Sequence, residues 1–212
     1  LTLTHTAVIR AAAFKSGFAP SAIDNHTYIV ADDVLRQSSA PSGFPAMWGG
    51  TTADYAMDQT VVAANGAALT NALKALPTLS LVLPVSSLFD ASTGIYPNSW
   101  STGDAWERET SAEWIDKDNA SKFQVNCGVQ IYGGYFRDMG VTRKKSFSLE
   151  FRSAYGEGRL NEDLFSGNAV SSFNDLVLRA GANDAWNNWG QGNTQYIVDE
   201  FIRQSHLAMG GV

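Results

Sequence analysis

The sequence predicts an α+β fold, in which a mostly antiparallel sheet is accompanied by a few helices. Residues 123–131 and 145–152 alternate apolar and polar side chains with a period of two, which is typical of strands in a sheet. Apolar residues recur at helical spacing in residues 66–76 and 194–209. Together these patterns favour a sheet with a few helices, and the sequence contains no internal repeat.

Length and composition indicate one sizeable core with few charges around it. The 212 residues carry 15 lysines and arginines against 21 aspartates and glutamates, a net charge of −6, so nucleic acid is not expected as a partner. Charged residues make up 17% of the chain, below the roughly 25% of ordinary soluble domains. This balance suits a secreted or cell-surface β-rich protein better than a cytosolic helical one.

Cysteine and histidine usage argues against a metal centre. Cys127 is the only cysteine in the sequence, which excludes an internal disulfide and a cysteine-based metal cluster, and we expect it to be an inert core thiol. His5, His26 and His206 are far apart and lie in no metal-spaced motif. Since no run of about 18 apolar residues occurs, no transmembrane segment is predicted.

The N-terminal part predicts a β-hairpin followed by a loop. Residues 6–14 and 22–30 have the patterns of strands, and residues 15–17 form the turn between them. Two strands alone are only marginally stable, so we expect the tail of a β-sandwich. The chain begins at Leu1, without methionine or a signal peptide, and we expect an excerpt of a longer protein. Residues 38–50, rich in Pro, Gly and Ser, predict an ordered aromatic loop or linker.

Helix and strand signals follow in order along the middle of the chain. Leucines at helical spacing in residues 66–76 predict a helix that a proline ends. A short strand at residues 79–83 and a turn-rich loop at residues 90–98 come next. Residues 106–115 and 123–131 then predict two longer strands, of which the second is the most regular in the chain.

The sequence RKKSFSLEFRSAYG, residues 143–156, predicts a strand with two lysines at its entrance. Its alternation places Lys145 on the core face and Lys144 on the solvent face. A lysine on the core face is costly unless an anion meets it, so one interpretation is a phosphate site. The other is a lysine at a sheet edge that extends its ammonium into water.

The C-terminal part predicts one more strand and one more helix. Residues 176–179 form a short apolar strand, and residues 194–209 form a helix that a glycine pair ends. Asp199 and Arg203 stand four residues apart on this helix and are spaced to pair.

Two further groups of residues could carry chemistry. Gly133 and Gly134, followed by Arg137, could bring backbone NH groups and a guanidinium to an anion, although such glycines are also common in plain hairpins. The second group could form a polar network at strand ends, or a buried Arg–Glu pair that only fixes the fold. Its candidate members are Glu107, Arg108, Arg179, Asn183 and Asp184.

Other candidate sites have less support. No serine-hydrolase, zinc-protease or Walker motif occurs. The aspartates at 32–33 and at 54 and 58 lack the spacing of an EF-hand and are interpreted as helix caps or solvated acids. Tryptophans could stack on sugars, but core packing is expected for four that lie in strongly patterned segments, Trp106, Trp114, Trp186 and Trp189.

Six motifs follow one another in a fixed order. They are TGIYPN, GDAWERETSAEW, FQVNCGVQIYGGYFR, RKKSFSLEFRSAYG, LVLRAGANDAW and DEFIRQSHLAMG. From about residue 76 to the end, this ordered set resembles the N-terminal part of the spore-coat protein CotH kinase family. Residues 1–30 resemble the closing hairpin of a chitobiase/β-hexosaminidase C-terminal domain, an Ig-like sandwich, and residues 31–75 would link the two.

The resemblance implies an atypical protein-kinase-like lobe. Such a kinase transfers phosphate from ATP to serine of secreted or coat proteins with a divalent metal such as Mg²⁺. The family pattern places its characteristic lysine at Lys144, whereas strand alternation favours Lys145. Both remain nucleotide-binding candidates, together with Gly133, Gly134, Arg137 and Arg179.

The resemblance also limits what this chain is expected to do. The family's catalytic and metal-binding aspartates are expected beyond Val212, so no catalytic base and no metal ligand is nominated, and the chain alone is expected to be inactive. The alternative is a non-catalytic cell-surface module that has a structural role or binds glycans.

Overall fold

The structure is a computed structural model that describes residues 2–117, 121–165, 170–181 and 197–210. It is a mixed α and β protein, with mostly antiparallel sheets and a few helices, as the sequence predicts. All strand pairs within the described ranges are antiparallel.

The N-terminal part contains two hairpins and two helices. Strands β1 (Ala7–Ala11) and β2 (Asp24–Tyr28) form the predicted first hairpin but are shorter than residues 6–14 and 22–30. The elements that follow are α1 (Ala31–Leu35), β3 (Met47–Trp48), β4 (Thr51–Thr52) and α2 (Gln59–Ala75).

Five strands form the central sheet, in the order β11-β8-β7-β6-β5. They are β5 (Thr78–Val82), β6 (Arg108–Ile115), β7 (Ser121–Tyr132), β8 (Ser146–Glu150) and β11 (Asp175–Leu178). The remaining elements are α3 (Val85–Phe89), the paired β9 (Leu160–Asn161) and β10 (Ser172–Phe173), and α4 (Val198–Ala208).

One face of the central sheet is apolar and forms the core. The register sets Thr110 opposite Cys127 and Val129 opposite Leu149. Burial raises the pKa of the Cys127 thiol to about 12, so the thiol stays protonated and the expected inert core cysteine is confirmed. Other buried members of this core are Ile95, Ala112, Ile131, Phe151 and Leu160.

The opposite face of the central sheet is polar. Ser111 stands opposite Asn126, and Glu109 stands opposite Gly128, which in turn pairs with Glu150. Because side chains alternate along each strand, these residues lie together on the face opposite the core face that contains Cys127. We call this surface the polar face, and its charged side chains are described below.

Helix α2 begins well before the predicted residues 66–76. The Asp58 side chain caps it by accepting hydrogen bonds from the backbone NH groups of Thr60, at 2.8 Å, and Val61, at 3.4 Å. Asn65 has non-helical backbone angles, so the helix is kinked there. The leucine pattern therefore marks only the part of the helix after the kink.

Residues 38–50 form an ordered aromatic loop that includes β3, as predicted. Trp48 is buried, its ring stacks on Phe89 with 5.7 Å between centroids, and its indole NH donates to the Tyr55 hydroxyl at 2.9 Å. Tyr96 also packs against Trp48, with 5.1 Å between ring centroids. These rings join the N-terminal part to the loop that follows α3.

Two of the four tryptophans expected in the core, Trp106 and Trp114, lie within the described residues. Trp106 packs against the core, which confirms the prediction for this residue. Trp114 stacks on Phe123 across the β6–β7 pair. Trp186 and Trp189, like Asn183 and Asp184, lie outside the described residues.

Helix α4 corrects the predicted Asp199–Arg203 pair. Arg203 donates to Glu200 instead, at 2.7 and 2.9 Å, and Asp199 pairs with Arg179 after β11. Glu200 lies three residues before Arg203 and Asp199 lies four before it. Both spacings allow an ion pair on a helix, so spacing alone could not choose between the two acids. The predicted start of this helix at residue 194 lies outside the described residues.

No helix in the described part of the chain is long and apolar enough to cross a membrane.

Candidate functional site

Lys145 lies on the core side of β8, as alternation predicts, and is only 3% exposed. Its ammonium donates to three backbone carbonyls, of Phe136 at 3.1 Å, Asp138 at 2.8 Å and Thr142 at 2.7 Å. These bonds use all three of its N–H donors. Burial lowers the pKa of Lys145 from 10.5 to about 8, so the side chain is still mostly cationic at neutral pH.

Arg137 is a second buried cation that is satisfied by carbonyl oxygens. Its Nε donates to Gly133 at 2.5 Å, its Nη1 to Ser99 at 2.9 Å and to Ser101 at 3.1 Å, and its Nη2 to Ile131 at 2.5 Å. Burial lowers the pKa of this guanidinium. The side chain therefore ties the connection between β7 and β8 to the loop that precedes β6.

The other four candidate residues lie at the same end of the central sheet. Gly133 has a φ of +113°, which favours glycine, and Gly134 follows it directly. Lys144 is exposed. The Ala180 backbone NH donates to Ser146 Oγ at 2.9 Å, which holds the neighbouring Arg179 beside the start of β8. We call this group the basic end; it comprises Gly133, Gly134, Arg137, Lys144, Lys145 and Arg179.

The members of the basic end differ in which donors remain available. Arg179 forms an ion pair with Asp199 of α4. The Lys144 ammonium makes no hydrogen bond and no ion pair with any residue that the structure describes. Lys144 and the exposed glycine backbone are thus the groups best placed to meet an anion from solvent. The nucleotide-binding role of all six residues stays a prediction.

An Arg–Glu pair exists on the polar face, but with a different arginine from those predicted. The Glu107 side chain is 1% exposed and pairs with Arg152, at 3.0 Å from Nε and 2.8 Å from Nη2. Arg108, a candidate member of the predicted polar network, donates to backbone carbonyls, among them that of Thr93, while Arg179 binds Asp199. Arg152 lies beyond the end of β8, and its distance in sequence from Glu107 hid the pair.

The buried Glu107 carboxylate explains the glycine in β7. A side chain on Gly128 would collide with Glu107 Oε1 and with the ring of Tyr155. Burial is the main cause that raises the pKa of Tyr155, and the negative charge of Glu107 raises it further. Glu107 therefore needs both a residue without Cβ beneath it and the positive charge of Arg152 beside it.

The hairpin β1–β2 is attached to the polar face through Glu113. The Thr27 backbone NH donates to Glu113 Oε2 at 2.6 Å, and His26 Nδ1 lies 3.3 Å from Oε1. Thr27 Oγ1 also lies 2.8 Å from Ser80 Oγ of β5. Glu113 is buried, so its charge depends on these partners.

This attachment predicts a pH-dependent stability. The hydrogen bond with Glu113, helped by the charge of Asp24, raises the pKa of His26 above 6.5. A raised folded-state pKa stabilises the protein fully below 6.5, and this contribution is lost as the pH rises through the folded-state value. We therefore expect the thermal midpoint of wild type to decrease as the pH rises above about 6.5 and passes through the raised pKa of His26. His26→Asn should flatten this dependence, whereas His206→Asn should preserve it; equal slopes in all three proteins would contradict the assignment.

No group of three or more His, Cys, Asp or Glu side chains that could hold a metal ion occurs among the residues described.

No protein-family model, curated protein or solved structure matches this chain.

Proposed function

We propose that the chain supplies the nucleotide-side lobe of a CotH-like atypical protein kinase, which transfers phosphate from ATP to serine of a protein substrate. One observation supports the proposal beyond the ordered motifs. Residues from three stretches of the chain, 133–137, 144–145 and 179, are all nominated as nucleotide-binding and lie at the same end of one antiparallel sheet. Protein kinases use a lysine on a sheet strand to hold the phosphates of ATP, and Lys144 lies two residues before strand β8.

The charge distribution favours an anion at the basic end. Arg143 adds a further positive charge there and pairs only loosely with Asp54, at 3.7 Å. In this proposal Lys144 contacts phosphate directly, and the exposed backbone of Gly133 and Gly134 lets the anion approach closely. Lys145 and Arg137 act as positioning residues, because their carbonyl contacts hold the connecting loop in place.

The hairpin β1–β2 fits the same proposal as the end of a preceding Ig-like sandwich. It forms a sheet of its own and meets the central sheet through polar contacts at Glu113. A secreted or bacterial cell-surface location is part of the proposal, and its support is the low share of charged residues, 17% of the chain. Mg²⁺ would accompany ATP, since this ion commonly binds to substrate phosphates with only one or two protein carboxylates.

Titration calorimetry with Mg–ATP tests the proposal. We expect Lys144→Ala to weaken binding about tenfold, since it removes a charge-assisted contact to phosphate. Arg179→Ala should have an effect in the same direction. Lys74→Ala is the matched control, because Lys74 is also exposed, lies on α2 and makes no hydrogen bond or ion pair with any described residue. It should bind as wild type does.

The titration is run on this chain. If wild type does not bind Mg–ATP, the kinase proposal is wrong. If Lys74→Ala weakens binding as much as Lys144→Ala does, the nucleotide is held by general charge attraction and not at the basic end.

A further inference from the structure

A cleft of about 750 Å³ lies between the hairpin β1–β2 and the polar face. One wall comes from the hairpin and the other from β5, β6 and β7. It lies away from the basic end, since none of the six residues of that group lines it. The side chains that carry the argument are Arg10, Asn25, Glu109, Ser111, Asn126 and Tyr155.

The hairpin wall presents an arginine and an amide that hold each other in place. Arg10 Nε donates to Asn25 Oδ1 at 3.0 Å, and Asn25 is 4% exposed. The bond orients the amide, and its NH₂ group makes no hydrogen bond with any described residue. The Nη groups of Arg10 are likewise unpaired in the described structure.

The sheet wall presents a second oriented amide and a carboxylate. Gln124 Nε2 donates to Ser111 Oγ at 2.7 Å and to Asn126 Oδ1 at 3.3 Å. With its oxygen engaged, the Asn126 amide has its NH₂ group left to donate to a ligand. Glu109 is exposed and makes no hydrogen bond or ion pair with any described residue, so both of its oxygens can accept.

Apolar groups complete the lining of the cleft. Val82, Leu83 and Pro84 lie at the end of β5, and Ile23 lies across from them on the hairpin. The half-buried ring of Tyr155 adds an aromatic surface. A ligand in the cleft would thus meet hydrogen-bonding groups and apolar surface together, the combination found in small-molecule sites.

These groups define the chemistry of the ligand. One guanidinium and one carboxylate balance each other in charge, so the lining does not favour a strongly charged molecule. The amide groups of Asn25 and Asn126 can donate, the Glu109 carboxylate can accept, and Ser111 contributes a hydroxyl. This set suits a ligand whose hydroxyl groups both donate and accept hydrogen bonds. The apolar groups suit the C–H faces of a sugar ring. We infer that this cleft binds a neutral oligosaccharide, independently of the proposed kinase function.

The inference is tested by calorimetry and saturation-transfer NMR with four defined probes, the tetrasaccharides of chitin, cellulose, starch and xylan. We expect at least one probe to bind wild type. Glu109→Gln and Asn126→Ala should each weaken that binding about tenfold, a typical effect of losing a hydrogen bond to a ligand. Ala22→Trp, at an exposed position of the lining, should abolish binding by filling the cleft.

Two controls keep the result specific. Asp175→Asn changes an exposed acid on β11, outside the cleft, and should bind as wild type does. Lys144→Ala, which tests the nucleotide proposal, should also leave sugar binding unchanged. The inference is overturned if none of the four probes binds wild type, or if Ala22→Trp binds as well as wild type does. Neither outcome would bear on Mg–ATP binding.

Discussion

We expect Lys145→Met to lower the free energy of unfolding by on the order of 3 kcal/mol, although the substitution keeps an unbranched side chain only one atom shorter. The ammonium satisfies three backbone carbonyls in the connection between β7 and β8, and methionine can donate to none of them. A buried acceptor left without a donor costs about 1–3 kcal/mol. Chemical denaturation followed by tryptophan fluorescence measures the loss.

The neighbouring lysine provides a matched control. Lys144→Met removes the same charge one residue earlier, from a side chain that is exposed and without a partner in the described structure. Its free energy of unfolding should stay within about 0.5 kcal/mol of wild type. Equal losses in the two variants would show that Lys145 does not hold the loop, and would return it to the candidates for direct phosphate contact.

We expect Gly94→Ala to destabilise the protein by about 3 kcal/mol or more, because the loop between α3 and β6 has no room for a methyl group. A Cβ at this position would lie 2.5 Å from the Asp90 nitrogen, 2.6 Å from the Asp90 oxygen and 2.7 Å from the Phe89 nitrogen. These are backbone atoms of α3 and its cap, which cannot rotate away. The strain would also displace Ile95, one of the most buried side chains of the core.

Gly66→Ala is the opposite case and serves as the control. Gly66 lies in α2, and a Cβ there would meet nothing within 4 Å. Alanine should stabilise the helix by about 0.5–1 kcal/mol, since glycine is the poorer helix former. Thermal denaturation of both variants is the measurement. A Gly94→Ala protein as stable as wild type would contradict the packing described for this loop.

The strands of the central sheet could be predicted because their side chains alternate regularly. The pattern in residues 123–131 corresponds to β7, and the pattern that starts at Lys145 gives β8 with the correct lysine on the core side. Period-two alternation is a local property, and it survives because each of these strands has one apolar face.

The partners of buried charges could not be predicted. The sequence leaves a phosphate and water as alternative partners for Lys145, but backbone carbonyls meet its buried ammonium, and any residue type can provide a carbonyl. Arg152 was equally hidden, because the register of three strands brings it to Glu107 from 45 positions away. Alternation identifies the face that a side chain occupies, whereas the contact depends on how strands are paired.

Neither the start of helix α2 nor the cleft could be predicted from the sequence. The cap at Asp58 is visible in the sequence, but the kink at Asn65 interrupts the leucine pattern and hides the first turns of α2. The cleft depends on how the hairpin sits over the polar face, through Thr27 and Glu113. That packing joins segments about 85 residues apart and leaves no local signal.

The most direct test of the central claim is to map Mg–ATP onto the protein by amide NMR. The proposal predicts that chemical-shift changes concentrate at the amides of the basic end, at Gly133, Gly134, Lys144 and Arg179, and that Lys144→Ala suppresses them. Amides facing the cleft, such as those of Glu109 and Asn126, should stay unchanged. Saturating Mg–ATP that shifts no amide of the basic end, or that shifts only residues of the cleft, would contradict the account.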